Sequence, residues 1–237
     1  LKLSTYPNFH VYLVLNGSSR EDKISLYNTF DSWDRITFIE EKENMGFCEG
    51  NNIAIRDIIK ECKAEYIMLL NNDVEVDPDF LDHVIEKAQE GYDMVQCLTY
   101  EFDARQKIDA AGLKLTRSGL TFNINKLSDP APLFCPSGNG SLYSVKLLQQ
   151  CALERQVSTG FQSNIIKDYL DKDYFLYAED FDLGMRARLQ GFKAALAHKA
   201  ILFHKGSASS SKMSDLAVYH TYRNLIFTYI KCYPLNW

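Results

Sequence analysis

Four short apolar runs, the first three of them each followed by a stretch with helical spacing, constrain this chain more than any other feature. Residues 10–15 (HVYLVL) read as a buried strand that ends in the turn Asn16-Gly17-Ser18-Ser19. Residues 21–30 look helical, and residues 35–40 (RITFIE) form a second strand. Ile53, Ile55, Ile58 and Ile59 place a helix over 51–62. Residues 66–70 (YIMLL) and 94–100 (MVQCLTY) are the third and fourth strands. Between them Asp77-Pro78-Asp79 opens another helix, with Asp77 as N-cap and Pro78 in the first helical position. Strands alternating with helices predict an α/β fold: a mostly parallel central sheet flanked by helices.

The second half is less regular. Short strands are expected near 107–125 and 140–144, and a polar, mobile loop over 153–172. Residues 179–190 form a helix with acids in its first turn and Arg186 and Arg188 toward its end, as the helix dipole prefers. One or two strands fall in 194–203, and an amphipathic helix rich in Tyr, Leu and Ile in 213–232. There is no internal repeat, no clear linker and no low-complexity tract beyond SASSS, so residues 1–237 read as one domain. Both ends look like cuts through a longer protein.

Composition narrows the function classes. Hydrophobic residues make up 46% of the 237 and charged residues 24%, ordinary for a protein that buries a good core. The net charge of −5 argues against sequence-independent nucleic-acid binding, which needs a basic surface. The six cysteines are scattered without a CxxC pair, which favours reduced thiols in a cytosolic protein. No apolar run reaches the roughly 18 residues of a membrane span, and no signal peptide opens the sequence.

Five stretches carry candidate chemistry. In YIMLLNNDVEVD a strand finishes in Asn71-Asn72-Asp73, where a carboxylate and two amides stand at the ligand-binding end of an α/β sheet. Hard cations prefer such oxygen ligands. A plain turn uses the same residues, so the stretch alone leaves both readings open. In FLYAEDFDLGMRARLQG, Glu179, Asp180 and Asp182 crowd a helix start after an apolar stretch. Capping explains one or two of them; an acid beside apolar surface also has its pKa raised, which suits a general base. His204 ends an apolar strand in ILFHKGS, where a structural role and a ligand role compete. A loop at Lys205-Gly206 could close over phosphates. Gly46 and Gly50 in NMGFCEGNN permit tight turns or close backbone approach. PSGNGS is a Gly-containing loop before a short strand.

The order of these pieces is more specific than any one of them. YPNFHVYLVLNGSS, NMGFCEGNNIAIR, YIMLLNNDVEVDPDFL, PSGNGSLYS, FLYAEDFDLGMRARLQGF, ILFHKGSAS and YRNLIFTYIKCYP together resemble family 2 glycosyltransferases of the GT-A fold, particularly the bacterial rhamnosyltransferase-like branch. The resemblance implies a Rossmann-like nucleotide-diphospho-sugar transferase. It implies an inverting transfer of a sugar from a nucleotide-diphosphate sugar donor to a glycan or lipid-linked acceptor, in cell-surface polysaccharide synthesis. Asp180 falls on the catalytic base, with Glu179 beside it to hold the acceptor. Asp73 and His204 fall on the ligands of a divalent metal, Mg²⁺ or Mn²⁺. Asn16, Asn44, Gly46, Asn52, Asn72 and Gly138 fall in segments lining the donor. Arg223 and Asn224 match a C-terminal pair near the diphosphate. A cytoplasmic place, at the inner face of the membrane, follows from the same resemblance.

The sequence also departs from the pattern. The family's usual first strand and helix are missing ahead of YPNF, and the C-terminal helical region is cut short. Leu15 stands where many members carry a base-contacting Asp. A non-catalytic GT-A module that binds a nucleotide or glycan therefore remains open, as does a nucleotidyltransferase. Tyr219, Tyr222, Leu225, Ile226 and Tyr229 stripe the final helix; core packing, a homo-oligomer contact and peripheral membrane contact all fit such a stripe.

Overall fold

The computed structural model of the protein describes residues 1–128, 132–159, 162–205 and 215–233. Two parallel strands, β1 (Val11–Asn16) and β2 (Ile36–Glu41), flank helix α1 (Arg20–Phe30) in sequence and form a small sheet of their own. Leu15, where a base-contacting Asp was the family's pattern, is a buried core residue of β1. Helix α2 (Gly46–Glu61) leads to β3 (Tyr66–Leu69), β4 (Val74–Val76), α3 (Phe80–Gln89) and β5 (Met94–Glu101). Short strands β6 (Ile108–Ala110), β7 (Leu113–Leu115), β8 (Thr121–Asn123) and β9 (Ser141–Ser144) follow, then α4 (Val145–Gln150). The remainder is a hairpin, β10 (Leu153–Thr159) and β11 (Gln162–Asp168), then a 3-10 turn at Lys172–Tyr174, α5 (Glu179–Leu189), β12 (Ala194–His204) and α6 (Asp215–Cys232).

The α/β class is as expected, and the pairing is mixed. The central sheet runs β3-β9-β5-β12-β4, with β6 beside β5. β5 and β12 are parallel, while β9 is antiparallel to both of its neighbours, β3 and β5. β3, β5 and β12 thus point the same way, and β9 runs against them. This inversion matters for function. The loop that enters β9, residues 136–140, is carried to the carboxyl end of β3 and the middle of β5, where Gly140 N–H donates to Leu69 C=O at 3.1 Å and Cys97 N–H donates to Gly140 C=O at 2.9 Å. Register does the rest: His204 at the end of β12 lies opposite both Glu101 of β5 and Val74 of β4.

Several expectations need correction. Residues 153–172 are mostly a regular antiparallel hairpin and the 3-10 turn rather than a mobile loop; Glu154 pairs with Lys167 and Arg155 with Ile166 across it. Leu153, Arg155 and Val157 make one half-buried face and Glu154, Gln156 and Ser158 an exposed one, but Arg155 on the inner face and Ile165 on the outer one spoil the apolar alternation that betrays a strand. Residues 160 and 161 lie outside the described residues, as do SASSS, the 206–207 end of ILFHKGS and the start of the expected 213–232 helix. Helix α2 begins at Gly46, five residues before the expected start at 51, because the glycine-bearing stretch is itself the first turn. Gly46 has φ +78°, and Gly50 sits where a methyl group would meet Asn16 Nδ2 at 2.9 Å. Asp77 does not cap α3 either: the N-cap position is Asp79, and Asp77 C=O accepts from Phe80 N–H in the turn before it.

The last helix is built against its own periodicity. Leu225 and Tyr229 pack on the core as expected, but Tyr219, Tyr222 and Ile226 face outward. The most buried residues of α6 are Ala217, His220, Asn224 and Thr228, three of them polar. Among the described residues no helix is long and apolar enough to cross a membrane. All six cysteines are free thiols, four of them buried, in keeping with the reduced state expected.

Helix α5 lies against Cys135, where a methyl group on Gly184 would come 2.5 Å from Cys135 Cβ and Sγ. Overpacking of this kind costs about 1–3 kcal/mol. Gly184→Ala is expected to lower the melting temperature by several degrees, read by thermal denaturation followed by circular dichroism.

Candidate active site

Three strand ends and one helix start converge on the candidate site. Asp73 stands in the turn between β3 and β4, and its backbone carbonyl accepts from Lys205 N–H at 2.8 Å, just past β12. This pairing brings His204 Nε2 to 3.3 Å from Asp73 Oδ2. The other ring nitrogen, Nδ1, lies 2.8 Å from Asp109 Oδ2 on β6. The hydrogen bond to Asp109 raises the His204 pKa, burial opposes it, and Asp73 raises it further. Asp73 Oδ1 is buried without a hydrogen-bond partner. Asp109 escaped the sequence reading; its only signal was a lone acid inside the apolar IDAAG run.

The loop before β9 links this corner to the acids of α5. Asn139 Oδ1 accepts from Asn71 N–H at 3.2 Å. Next to it, Gly138 N–H donates to Asp180 Oδ2 at 2.9 Å, and Asp180 Oδ1 accepts from Phe181 N–H at 2.7 Å. The loop is fixed from below by buried Gln96, whose Oε1 accepts from Ser137 N–H at 2.7 Å and whose Nε2 donates to Asn139 C=O at 3.0 Å. Gly138 packs closely on the two acids: a methyl group there would lie 3.2 Å from Glu179 Oε1 and 3.8 Å from Asp180 Oδ2.

The two carboxylates differ. Glu179 is buried and its Oε2 has no partner; desolvation pushes its pKa well above the usual range and the adjacent Asp180 charge adds to the shift. Asp180 is half-buried. Desolvation raises its pKa too, partly offset by the N–H groups of Phe181 and Gly138. Two carboxyl groups so close titrate as a pair. Asp182, the third acid, belongs to the scaffold: its buried carboxylate accepts from Arg186 Nε at 2.9 Å, Lys231 Nζ at 2.5 Å and Tyr174 OH at 3.2 Å.

The segment leading into α5 is strained. Phe175, Tyr177 and Ala178 have φ of 63°, 68° and 63°. Each such non-glycine residue costs on the order of 1 kcal/mol and persists only where neighbours over-determine it. Gly46 lies directly under this segment, since a methyl group on it would meet Phe175 Cδ2 at 2.5 Å.

Several residues expected to line the donor are placed otherwise. Asn52 is fully buried; its Oδ1 accepts from Tyr169 and Leu170 N–H at 3.0 and 2.9 Å, and its Nδ2 donates to Leu170 C=O at 2.6 Å. It is a structural residue. Gly46 fronts Phe175 rather than an open pocket. Asn16 is spent on the 44–46 turn, with Nδ2 donating to Gly46 C=O at 2.9 Å and Oδ1 accepting from Met45 N–H at 2.8 Å. Asn44 and Asn72 are exposed, and Gly138 joins the site. Arg223 and Asn224 contact the backbone of residues 173–177, not a phosphate-binding loop.

Among the described residues no group of three or more His, Cys, Asp and Glu side chains is disposed to hold a metal ion. Asp73 and His204 are nevertheless a carboxylate–imidazole pair of the kind that ligates Mn²⁺, with an orphan oxygen on one member and an orienting carboxylate behind the other.

Residues 1–151, well over half of the protein, match Glycosyl transferase family 2. The chain belongs to this family. Among relatives, it is 25% identical over 229 residues to the O-antigen biosynthesis protein RfbC of Myxococcus xanthus, covering 88% of this chain and 16% of that protein. It is 23% identical over 222 residues to the low-salt glycan biosynthesis hexosyltransferase Agl10 of Haloferax volcanii, covering 90% and 65%. The protein thus spans under two thirds of the length of either relative. Among solved structures, it is similar to GalNAc-T7 with UDP, GalNAc and Mn²⁺, with a TM-score of 0.67 and 12% identity over 93% of this chain and 41% of the other. It is also similar to the mannosyltransferase PcManGT of Pyrobaculum calidifontis with GDP-Man and Mn²⁺, with a TM-score of 0.58, 14% identity, and 88% and 52% coverage. These likenesses establish the GT-A fold of this family 2 member.

A raised carboxyl pKa makes a stability prediction. The neutral form of Glu179 is the one the fold tolerates, so its burial is harmless below its ordinary value of 4.5 and becomes destabilising as pH rises through the raised value. Glu179→Gln keeps the shape without the charge. Its stability relative to the native protein is expected to be unchanged near pH 4 and to grow by at least about 1.4 kcal/mol, one pKa unit's worth, toward alkaline pH, read by urea denaturation.

Proposed function

We propose that the protein is an inverting glycosyltransferase that moves a sugar from a nucleotide-diphosphate donor to a hydroxyl of a glycan or lipid-linked acceptor. The observation that carries this reading is the carboxylate of Asp180: half-buried, raised in pKa, and aimed by two backbone N–H groups, one of them from the loop that also touches the Asn71–Asp73 turn. Asp180 takes the acceptor proton as the hydroxyl attacks the anomeric carbon from the face opposite the nucleotide. Its raised basicity suits that transfer better than an ordinary aspartate would. Glu179, buried beside it, holds the acceptor when protonated.

Asp73 and His204 hold a divalent ion, with Asp109 fixing the imidazole. Such an ion, Mg²⁺ or Mn²⁺, supplies Lewis-acid neutralisation of the departing diphosphate. Asn72 and Asn44, both exposed, meet the donor. The Mn²⁺ in both solved structures, with UDP and GalNAc in one and GDP-Man in the other, supports the metal and donor classes, and the names of the relatives support assembly of a surface polysaccharide. A rhamnosyltransferase-like donor preference and action at the cytoplasmic face of the membrane belong to the same proposal.

The test is nucleotide release from a panel of UDP-, GDP- and dTDP-sugars with MnCl2. Asp180→Asn is expected to lose turnover by about 10²–10⁴-fold while donor binding persists. Turnover of the native protein should fall with acidification, along a limb above the ordinary aspartate value of 3.8. Native turnover in Asp180→Asn sinks the base assignment; no Mn²⁺-dependent binding of any donor sinks the enzymatic reading. Asp109→Asn is expected to weaken Mn²⁺ binding in calorimetry by about 10–100-fold through the imidazole.

A further inference from the structure

Residues 173–177 have backbone carbonyls that no strand or helix ladder takes up, and α6 takes them up with two adjacent side chains. Asn224 is fully buried, and the two N–H groups of its amide are shared among three carbonyls, Tyr174 C=O at 2.9 Å, Leu176 C=O at 2.9 Å and Tyr177 C=O at 2.7 Å. Its oxygen accepts from Arg223 Nε at 2.9 Å, which fixes the amide so that nitrogen faces the loop. Arg223 then donates through Nη2 to Asp173 C=O at 2.8 Å and Tyr174 C=O at 3.0 Å. The carbonyls gripped this way flank the positive-φ residues Phe175, Tyr177 and Ala178, and Ala178 is the N-cap of the helix that starts with Glu179 and Asp180.

We propose that Asn224, braced by Arg223, is the positioning residue of the acceptor side: it holds the strained backbone that aims Asp180 and Glu179. This rests on the reading of Asp180 as the base. Asn224 touches no reacting atom. It acts by donation alone, because all three loop partners are acceptors. A carboxylate of the same shape would repel them. A loop released from the amide relaxes toward ordinary φ, and the first turn of α5 turns with it. The turn between β3 and β4, with Asp73, lies on other elements and is not moved.

The experiment compares Asn224→Asp, Asn224→Ala and Arg223→Lys with the native protein, using the panel sugar cleaved fastest with MnCl2. Turnover, donor affinity, the pH profile of turnover and melting temperature are all read. Both Asn224 variants are expected to lose turnover by ten-fold or more, to bind donor within about two-fold of native, and to shift the acid limb of the profile. Arg223→Lys should do the same to a smaller degree. In an Asp180→Asn background, Asn224→Asp should cost no further turnover. Folded Asn224 variants with native turnover and an unshifted acid limb, even at a lower melting temperature, overturn the proposal. So does a full additional loss in the Asp180→Asn background. If both Asn224 variants fail to fold, Arg223→Lys decides by the same criteria. Native turnover in Asp180→Asn alone is a different result: it removes the base reading, whatever Asn224 does.

Discussion

An irregular stretch of backbone buried between helices has no ladder to join, so each carbonyl and amide in it needs a side-chain partner or leaves a costly orphan. Residues 169–178 are such a stretch, and most of the C-terminal half is organised to satisfy them. Asn52 of α2 serves Tyr169 and Leu170, Asn224 of α6 serves Tyr174 to Tyr177, and Cys48 N–H reaches Phe175 C=O at 3.1 Å. A series of ion pairs runs alongside. Lys231 bridges Asp182 and Asp171, and Arg155 joins Asp171 to Asp168, which tie α6, α5, the 3-10 turn and the hairpin together. Burial by itself would raise the Asp171 carboxyl, yet Lys231 holds it below its ordinary value. Through Asp182 these groups hold the first turn of α5, and so Glu179 and Asp180, in place without touching those two.

The sheet performs the complementary task. β9, antiparallel to both its neighbours, delivers the Gly138 loop to the carboxyl end of β3 and the middle of β5, and β12 ends beside β4 with His204 against Asp73. Secondary-structure direction alone therefore places a carboxylate, an imidazole, a glycine amide and a helix N-terminus within one region. Strand ends on a rigid sheet hold the diphosphate side of the proposed reaction, and a strained loop holds the proton-transfer side. Rigidity is inherent in the first and must be imposed on the second.

The sequence is most legible where burial follows a simple period. Residues 10–15, 66–70 and 94–100 show their strands because their apolar runs are continuous, and Asp73, Asp180 and His204 stand out because each interrupts an apolar segment. The hairpin at 153–168 is hidden because Arg155 stands on its half-buried face and Ile165 on its exposed one, which spoils the alternation. The 46–50 turn reads as loop because glycine is ambiguous between a turn and a tightly packed helix start; only the neighbours Phe175 and Asn16 decide it. Asn52 and Asn224 could not be assigned from the sequence, since a buried amide and a ligand-binding amide look alike until their partners 118 and 47–50 residues away are in place. The stripe on α6 misleads for a related reason: Leu225 and Tyr229 reach the core, but the buried face also carries Asn224 and Thr228, which meet polar backbone and the Tyr174 hydroxyl there.

The amide of Asn224 also ties the acceptor side of the site to the final helix. Its loop partners are 47 to 50 residues away in sequence, and Asn52 reaches 117 and 118 residues. The strands that carry Asp73 and His204 are held by ladders of many bonds, whereas the carbonyls of Leu176 and Tyr177 depend on one side chain of α6. Undocking α6 would therefore release the backbone ahead of Asp180 and leave the strand ends with Asp73 and His204 paired. The two sides of the proposed reaction thus differ in local stability, and the proposed base stands on the side that opens at lower cost.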